Sequence, residues 1–199
     1  MSPTTDPLYG EAIRRLQRLF SRAGRLQLNE PTAATLATVG EHGGPSTRTV
    51  LLKRVDEQGL VFYTNQRSRK GRQLARNPRV AVCLFVDRLM EQALLEGVAR
   101  SVSPEETDAY WATRDRVSQL GAWASDQSRP LDRRLTLIAR VATYRREFAG
   151  RPIPRPPHWS GYRIVPDRIE FWKARPFRLN ERVLYERRGN AWTSTLLYP

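Results

Sequence analysis

An alternating run from Thr47 to Val55, turn chemistry at Asp56-Glu57-Gln58-Gly59 and a returning run Leu60-Val61-Phe62-Tyr63-Thr64 define a β-hairpin. This hairpin constrains the fold more than any other feature, because it commits the chain to antiparallel pairing and then leads directly into a helix start. Ser68 suits the N-cap of that helix, since its hydroxyl can accept a hydrogen bond from a first-turn N–H that has no other partner. Arg69 and Lys70 stand beside those N–H groups, so the position is suited to a phosphate monoester. A hairpin followed by a solvated basic helix is the plainer alternative, and these residues alone do not separate the two.

The rest of the chain extends the antiparallel pattern. Asp6-Pro7 opens a helix whose apolar face is Tyr9, Ala12, Ile13, Leu16, Leu19, Phe20 and Ala23, with Gly24 as its stop. Ala33 to Val39 reads as a strand, and His42-Gly43-Gly44-Pro45 as the loop into the hairpin. Pro78 ends the basic helix, and strands follow at Arg79 to Val86 and Met90 to Val98. Ser103-Pro104-Glu105-Glu106 is a capping box leading a helix through Tyr110 and Trp111. Helical stretches follow at Val117 to Ala124 and Leu131 to Phe148, and Arg151 to Pro157 is a proline-rich extended linker. Short strands are expected at Tyr162 to Val165, Ile169 to Trp172, Val183 to Glu186 and Trp192 to Leu197. Strands in adjacent hairpins with helices inserted as blocks predict an α+β fold with an antiparallel sheet. The length fits one domain over 1–199, with an N-terminal helix in 1–26 and C-terminal strands in 150–199.

Composition narrows the setting. The longest apolar run, Val80 to Val86, is strand-sized and far too short to cross a bilayer. Met1 to Asp6 lacks the blocks of a signal peptide, and the single cysteine, Cys83, excludes an internal disulfide. A cytoplasmic protein without a membrane partner is expected. The net charge of +14 could serve nucleic acid, but the cations are scattered and no nucleic-acid motif accompanies them. Phosphorylated small molecules are the expected partners instead.

The chain has no glycine-rich dinucleotide fingerprint, phosphate loop, nucleophile elbow or metal-ligand spacing. With only His42 and His158, histidine-based acid–base catalysis has little material. An organic cofactor carrying the reaction fits this inventory best, and no metal is expected.

Five motifs carry a resemblance. Arg48-Thr49-Val50-Leu51-Leu52-Lys53 with Tyr63-Thr64 and Ser68-Arg69-Lys70, then Gln119 to Ser128, Ile169 to Trp172, Arg178 to Arg182 and the closing Leu197-Tyr198-Pro199 resemble the pyridoxine/pyridoxamine 5′-phosphate oxidase family. The likeness runs from Asp6 to Pro199 in family order. It implies a split β-barrel with peripheral helices that pairs as a homodimer, with FMN at the subunit interface. The implied activity is oxidation of pyridoxamine or pyridoxine 5′-phosphate to pyridoxal 5′-phosphate, with O2 as acceptor and H2O2 as product.

Residue by residue, the resemblance implies that FMN is held by Arg48, Thr49, Val50, Leu51, Leu52, Lys53, Tyr63, Thr64, Arg69, Lys70, Gln92, Gln127, Ser128, Trp172 and Arg182. It implies that the vitamin B6 phosphate is held by Lys53, Tyr110, Arg114 and Ser118. Arg178, Leu179 and Asn180 are expected at the substrate, with Arg178 and Asn180 the catalytic pair. The four-residue spacing of Tyr110, Arg114 and Ser118 puts them on one face if that stretch is a single helix. The strand period sets Lys53 and Arg48 on opposite faces, one cation for each ligand.

Three departures from the family bear on turnover. Asn180 stands where histidine is usual, and Asn can carry neither a positive charge nor a shuttled proton. Glu91 stands where a basic residue is common, and little chain precedes Asp6 to form an arm over the substrate. Two rival readings therefore stay open. One is a relative oxidising another substrate, of the phenazine-precursor type. The other is a non-catalytic protein that binds flavin or pyridoxal phosphate.

Overall fold

The computed structural model describes residues 6–199, so the readings of Met1–Thr5 lie outside the described residues. Asp6 caps α1 (Pro7–Gly24), accepting a hydrogen bond from Leu8 N at 2.9 Å, with Pro7 at the start where a missing N–H costs nothing. The other oxygen of the same carboxylate accepts from Trp192 N at 2.8 Å, tying the helix to the end of the chain. Tyr9, Ala12, Ile13, Leu16, Leu19 and Ala23 are buried as expected, while Phe20 packs partly buried at the edge of the core.

Eight strands follow: β1 (Ala33–Val39), β2 (Pro45–Asp56), β3 (Gly59–Asn65), β4 (Arg79–Val86), β5 (Glu91–Ser101), β6 (Trp159–Lys173), β7 (Glu181–Arg188) and β8 (Ala191–Leu197). They pair in the order β3-β2-β1-β4-β5-β6-β7-β8, and every pairing is antiparallel. A further pairing of β3 with β6 closes the first six into a barrel, leaving β7 and β8 as a hairpin beyond it. Closure removes two sheet edges that would otherwise present unpaired N–H and C=O groups. Leu36, Leu52, Leu60, Phe62, Leu84, Leu95, Ile164 and Ile169 are fully buried, and α1 lies against β2, β7 and β8. The α+β antiparallel split barrel with peripheral helices is the architecture the sequence implied.

Two irregularities shape the barrel. Glu96 pairs with Arg168 and Gly97 with Pro166, so Asp167 bulges out of β6. Proline lacks the N–H a regular ladder requires, and a bulge is where a strand tolerates it. The segments Tyr162–Val165 and Ile169–Trp172 are thus parts of one long bent strand, not two short ones. The second bulge lies in β2, where Leu52 pairs with Phe62 and Arg54 with Val61, leaving Lys53 as the extra residue.

The helices α2 (Arg69–Arg76), α3 (Pro104–Ala112), α4 (Arg116–Ala124) and α5 (Arg134–Glu147) lie around the barrel. Ser103 caps α3 by accepting from Glu106 N at 3.1 Å. Tyr110 lies in α3, Ser118 in α4 and Arg114 between them, in line with the two separate helical stretches expected, so the condition for one shared helix face is not met. The chain turns at Thr113–Asp115, and Asp115 caps α4 by accepting from Ser118 N at 2.8 Å. The proline-rich stretch 151–157 is extended but not loose. Trp111 Nε1 donates to Ile153 O at 2.8 Å and Trp123 Nε1 to Pro154 O at 2.7 Å. Ile153 is buried with Trp111, Leu120, Phe148 and Trp159 in a second, smaller core.

Candidate active site

The end of β3 and the start of α2 build the first part of the site. Ser68 is fully buried, and its Oγ accepts from Gly71 N at 3.2 Å, the cap expected from the sequence. Gly71 is required there, because a Cβ would stand 2.2 Å from the Gln66 carbonyl oxygen. Lys70 Nζ donates to Thr64 Oγ1 at 3.0 Å and to Gln127 Oε1 at 2.9 Å. Burial, and then the charge of Arg48, push the Lys70 ammonium down to about 8. Burial and the neighbouring Arg69 likewise act against the charged form of Arg48. Arg48 donates to Thr38 Oγ1 at 2.6 Å, Ser46 Oγ at 2.9 Å, Gln73 Oε1 at 3.3 Å and Leu36 O at 3.2 Å, all of them neutral acceptors. Three neighbouring cations with no carboxylate among them are costly without an anion to share.

The second part faces it across a cavity of about 370 Å³. Thr49, Val50, Leu51, Lys53, Tyr63, Thr64, Lys70, Tyr110, Arg114, Ser118 and Gln127 line it, with Asn65, Gly121, Ala122, Ser125 and Trp159. Lys53 lines the cavity and Arg48 does not, and the bulge takes Lys53 out of the β2–β3 ladder. The corner between α3 and α4 brings Tyr110, Arg114 and Ser118 to one wall, so they converge by a turn rather than along one helix face. Tyr63 stacks on Tyr110 at 4.1 Å between ring centroids and on Trp159 at 5.2 Å. Gly161, opposite Tyr63 in the β3–β6 ladder, makes room for this, since a Cβ there would lie 2.6 Å from the Tyr63 ring.

Charge pairing sorts the candidate cations. Arg182 is held by Glu170, a buried carboxylate, through Nε and Nη2 at 2.8 Å each. Among the described residues, no carboxylate forms an ion pair with Arg48, Lys53, Arg69, Lys70, Arg114 or Arg178, and no Asp or Glu lines the cavity. Lys53, Lys70 and Arg114 gathered round one cavity with no acid in its lining mark a place for an anion.

Some expected residues lie outside this cavity. Gln92, Trp172 and Arg182 form a row across β5, β6 and β7, since Gln92 pairs with Trp172 and Trp172 with Arg182. Gln92 and Trp172 line a separate cleft of about 350 Å³ with Arg15, Arg22 and Glu91. Ser128 follows Gln127 in a left-handed conformation (φ 70°). Leu52 is core, and its backbone N–H donates to Thr32 O at 2.9 Å. Arg178 sits in the loop between β6 and β7, where Phe177 and Arg178 both adopt left-handed backbone (φ 60° and 62°) that non-glycine residues hold only under constraint. The Asn180 carboxamide oxygen accepts from Arg175 N at 3.2 Å, and Arg175 pairs with Glu181, so Asn180 braces this loop. Glu91, the other departure, pairs with Arg22 and Lys173 at 2.9 Å each, which gives it a structural use at the end of α1. Trp159 and the helix-end residues Gly121, Ala122 and Ser125 were not expected at the site. Gly121, Ala122 and Ser125 fall within the Gln119–Ser128 motif, whereas no local pattern marks Trp159, which the proline-rich stretch 151–157 delivers to the head of β6.

The fold and the site define a class: an antiparallel split barrel with a cavity lined by cations and stacked aromatic rings. Residues 20–148 match the pyridoxamine 5′-phosphate oxidase family, and residues 159–199 match the pyridoxine 5′-phosphate oxidase C-terminal dimerisation region. A pyridoxine/pyridoxamine 5′-phosphate oxidase of Alkalilimnicola ehrlichii is 52% identical over 194 residues, 96% of this chain and 99% of that one. Its counterpart from Myxococcus xanthus is 50% identical over 189 residues, 95% of this chain and 92% of the other. Among solved structures, PhzG from Burkholderia lata in complex with tetrahydrophenazine-1-carboxylic acid matches with a TM-score of 0.89 and 34% identity, covering 97% of this chain and 96% of that one. A pyridoxamine 5′-phosphate oxidase-related, FMN-binding protein from Nostoc punctiforme, 22% identical with a TM-score of 0.73, covers 97% of this chain and 98% of its own and shares the fold. The chain belongs to the pyridoxamine 5′-phosphate oxidase family.

Proposed function

We propose that this protein is an FMN-dependent oxidase that converts pyridoxamine or pyridoxine 5′-phosphate to pyridoxal 5′-phosphate, with O2 as acceptor and H2O2 as product. The observation that carries the reading is the cavity holding Lys53, Lys70 and Arg114 without a carboxylate among its described lining. Arg48, Arg69 and Lys70 fit the FMN phosphate: no carboxylate among the described residues pairs with them, Arg48 and Lys70 are partly desolvated, and Arg69 and Lys70 stand in the first turn of α2 beside its N–H groups. Lys53, Tyr110, Arg114 and Ser118 fit the phosphate of the substrate. FMN, when bound, supplies the acceptor for the hydride and the reactivity toward O2.

The residues of the chain bind and orient. Two anchored phosphates fix the separation and tilt of the two ring systems, which is the positioning part of catalysis. Tyr63 and Tyr110, stacked on each other, exclude water from one wall. Arg178 lies outside this chain's cavity on its constrained loop, which Asn180 braces, so its part at the substrate ring requires the homodimer. The row Gln92–Trp172–Arg182 lies apart from the cavity in one chain and completes it across a homodimer, one subunit's row closing the other's cavity. The exposed residues Leu179, Leu196 and Tyr198, within the segment matching the dimerisation region, support such pairing.

Likeness to PhzG and the presence of Asn180 favour a second reading, oxidation of a phenazine precursor. Four groups suited to a phosphate weigh against it, since an unphosphorylated aromatic acid has no use for all of them. Incubation of the FMN-loaded protein with each B6 phosphate in air, assaying pyridoxal 5′-phosphate and peroxide, tests the proposal. Equimolar formation of both is expected. If neither forms while a tricyclic aromatic acid is oxidised, the second reading replaces the first.

A further inference from the structure

We infer that Trp159 is the positioning residue for Arg114, and that it thereby sets the preference of the cavity for a phosphorylated ligand. The inference rests on assigning Lys53 and Arg114 to the substrate phosphate. An arginine that must meet an anion has to be held still without being neutralised. A carboxylate would hold it but cancel its charge, whereas an aromatic face attracts the cation and leaves its charge for the ligand.

Arg114 is in that position. Its guanidinium carbon lies 5.0 Å from the Trp159 ring centroid and 5.8 Å from that of Trp111. Its Nη2 donates to Ser118 O at a long 3.3 Å, its guanidinium also lies within hydrogen-bonding reach of the Tyr110 hydroxyl, and its Nε is enclosed without an acceptor among the described residues. Hydrogen bonding alone therefore leaves the group poorly fixed, and the stacked rings supply the remaining constraint. Trp159 is itself immobilised. It is 4% exposed, its backbone N–H donates to Pro156 O at 3.0 Å, and its backbone carbonyl accepts from Arg155 Nη1 at 3.0 Å. Tyr63 stacks on its ring with planes 9° apart, and Trp111 meets it edge-on at 4.9 Å. The strap that delivers Trp159 to the head of β6 is thus coupled to ligand choice, not only to packing.

The test is equilibrium binding of pyridoxal 5′-phosphate and of unphosphorylated pyridoxal to the FMN-loaded protein and to its Trp159→Leu and Trp159→Phe variants. The parent should bind the phosphorylated form far more tightly. Trp159→Leu should weaken that form about tenfold and the unphosphorylated form little; Trp159→Phe should fall between. In an Arg114→Leu background, Trp159→Phe should change neither ligand, because a purely structural role would persist there and a positioning role would not. Should Trp159→Leu fail to fold, the Trp159→Phe cycle decides alone. A parent that does not discriminate between the two ligands overturns the substrate-phosphate assignment itself. A parent that discriminates, with Trp159→Phe unchanged or with equal losses in both backgrounds, overturns the role given to Trp159.

Discussion

Lys70 is the residue whose protonation most directly reports what binds beside it. Burial and the Arg48 charge hold its pKa at about 8, below its ordinary value, and an arriving phosphate dianion acts in the opposite direction. Binding above about pH 8 must therefore take up a proton. FMN affinity should fall as pH rises through about 8 from its level at about pH 7, where the phosphate is a dianion, and isothermal titration in two buffers of different ionisation enthalpy would detect the uptake. Lys70→Arg should flatten the profile, whereas a profile unaltered by that change would remove Lys70 from the phosphate. Arg114 tests the other end. Arg114→Ala should weaken substrate binding by about 1–3 kcal/mol while leaving flavin content intact, read as a rise in KM with little change in FMN per protein. Loss of both together would mean that Arg114 serves the fold instead.

At the scale of elements, what the sequence revealed was what local periodicity and caps encode. The β4 bounds, the turn before Gly59 and the Ser68 cap agree with the structure because each depends on a few neighbouring residues. The continuity of β6 was hidden because Pro166 reads as a break, and only pairing with β5 shows that a bulge absorbs it. The two helical stretches either side of the α3–α4 corner were legible, but the corner that brings Tyr110, Arg114 and Ser118 to one cavity rests on tertiary contacts of Trp111 and Trp123 with residues 151–157. At the site, the cations of the β2–α2 unit were legible, but the neutral cradle of Arg48 and the place of Trp159 arise from segments far apart in sequence. Gly161 is one such tertiary requirement. Gly161→Ala should cost about 1–3 kcal/mol of stability in urea unfolding, since its Cβ would meet the Tyr63 ring and Val102. An unchanged midpoint would show that the aromatic wall shifts freely.

At the scale of the whole molecule, the barrel supplies one cavity and one separated row of polar and aromatic residues, and the proposed function needs both. Leu196 and Tyr198 are 79% and 94% exposed within the segment that matches the dimerisation region. Light scattering should give about twice the chain mass of 22.9 kDa, and Leu196→Glu with Tyr198→Glu should lower both the mass and the retained FMN. Retention of FMN by a monomeric variant would confine the cofactor site to one chain. Among the described residues no helix is long and apolar enough to cross a membrane.

A phosphorylated vitamin B6 should reduce the flavin in this cavity. Anaerobic mixing of the FMN-loaded protein with pyridoxamine 5′-phosphate, pyridoxine 5′-phosphate and unphosphorylated pyridoxamine, followed by flavin absorbance, tests it most directly. Bleaching is expected with at least one phosphorylated compound, and far more slowly with the unphosphorylated one at equal concentration. No bleaching by either phosphate over minutes, or equal rates with and without the phosphate, would contradict it.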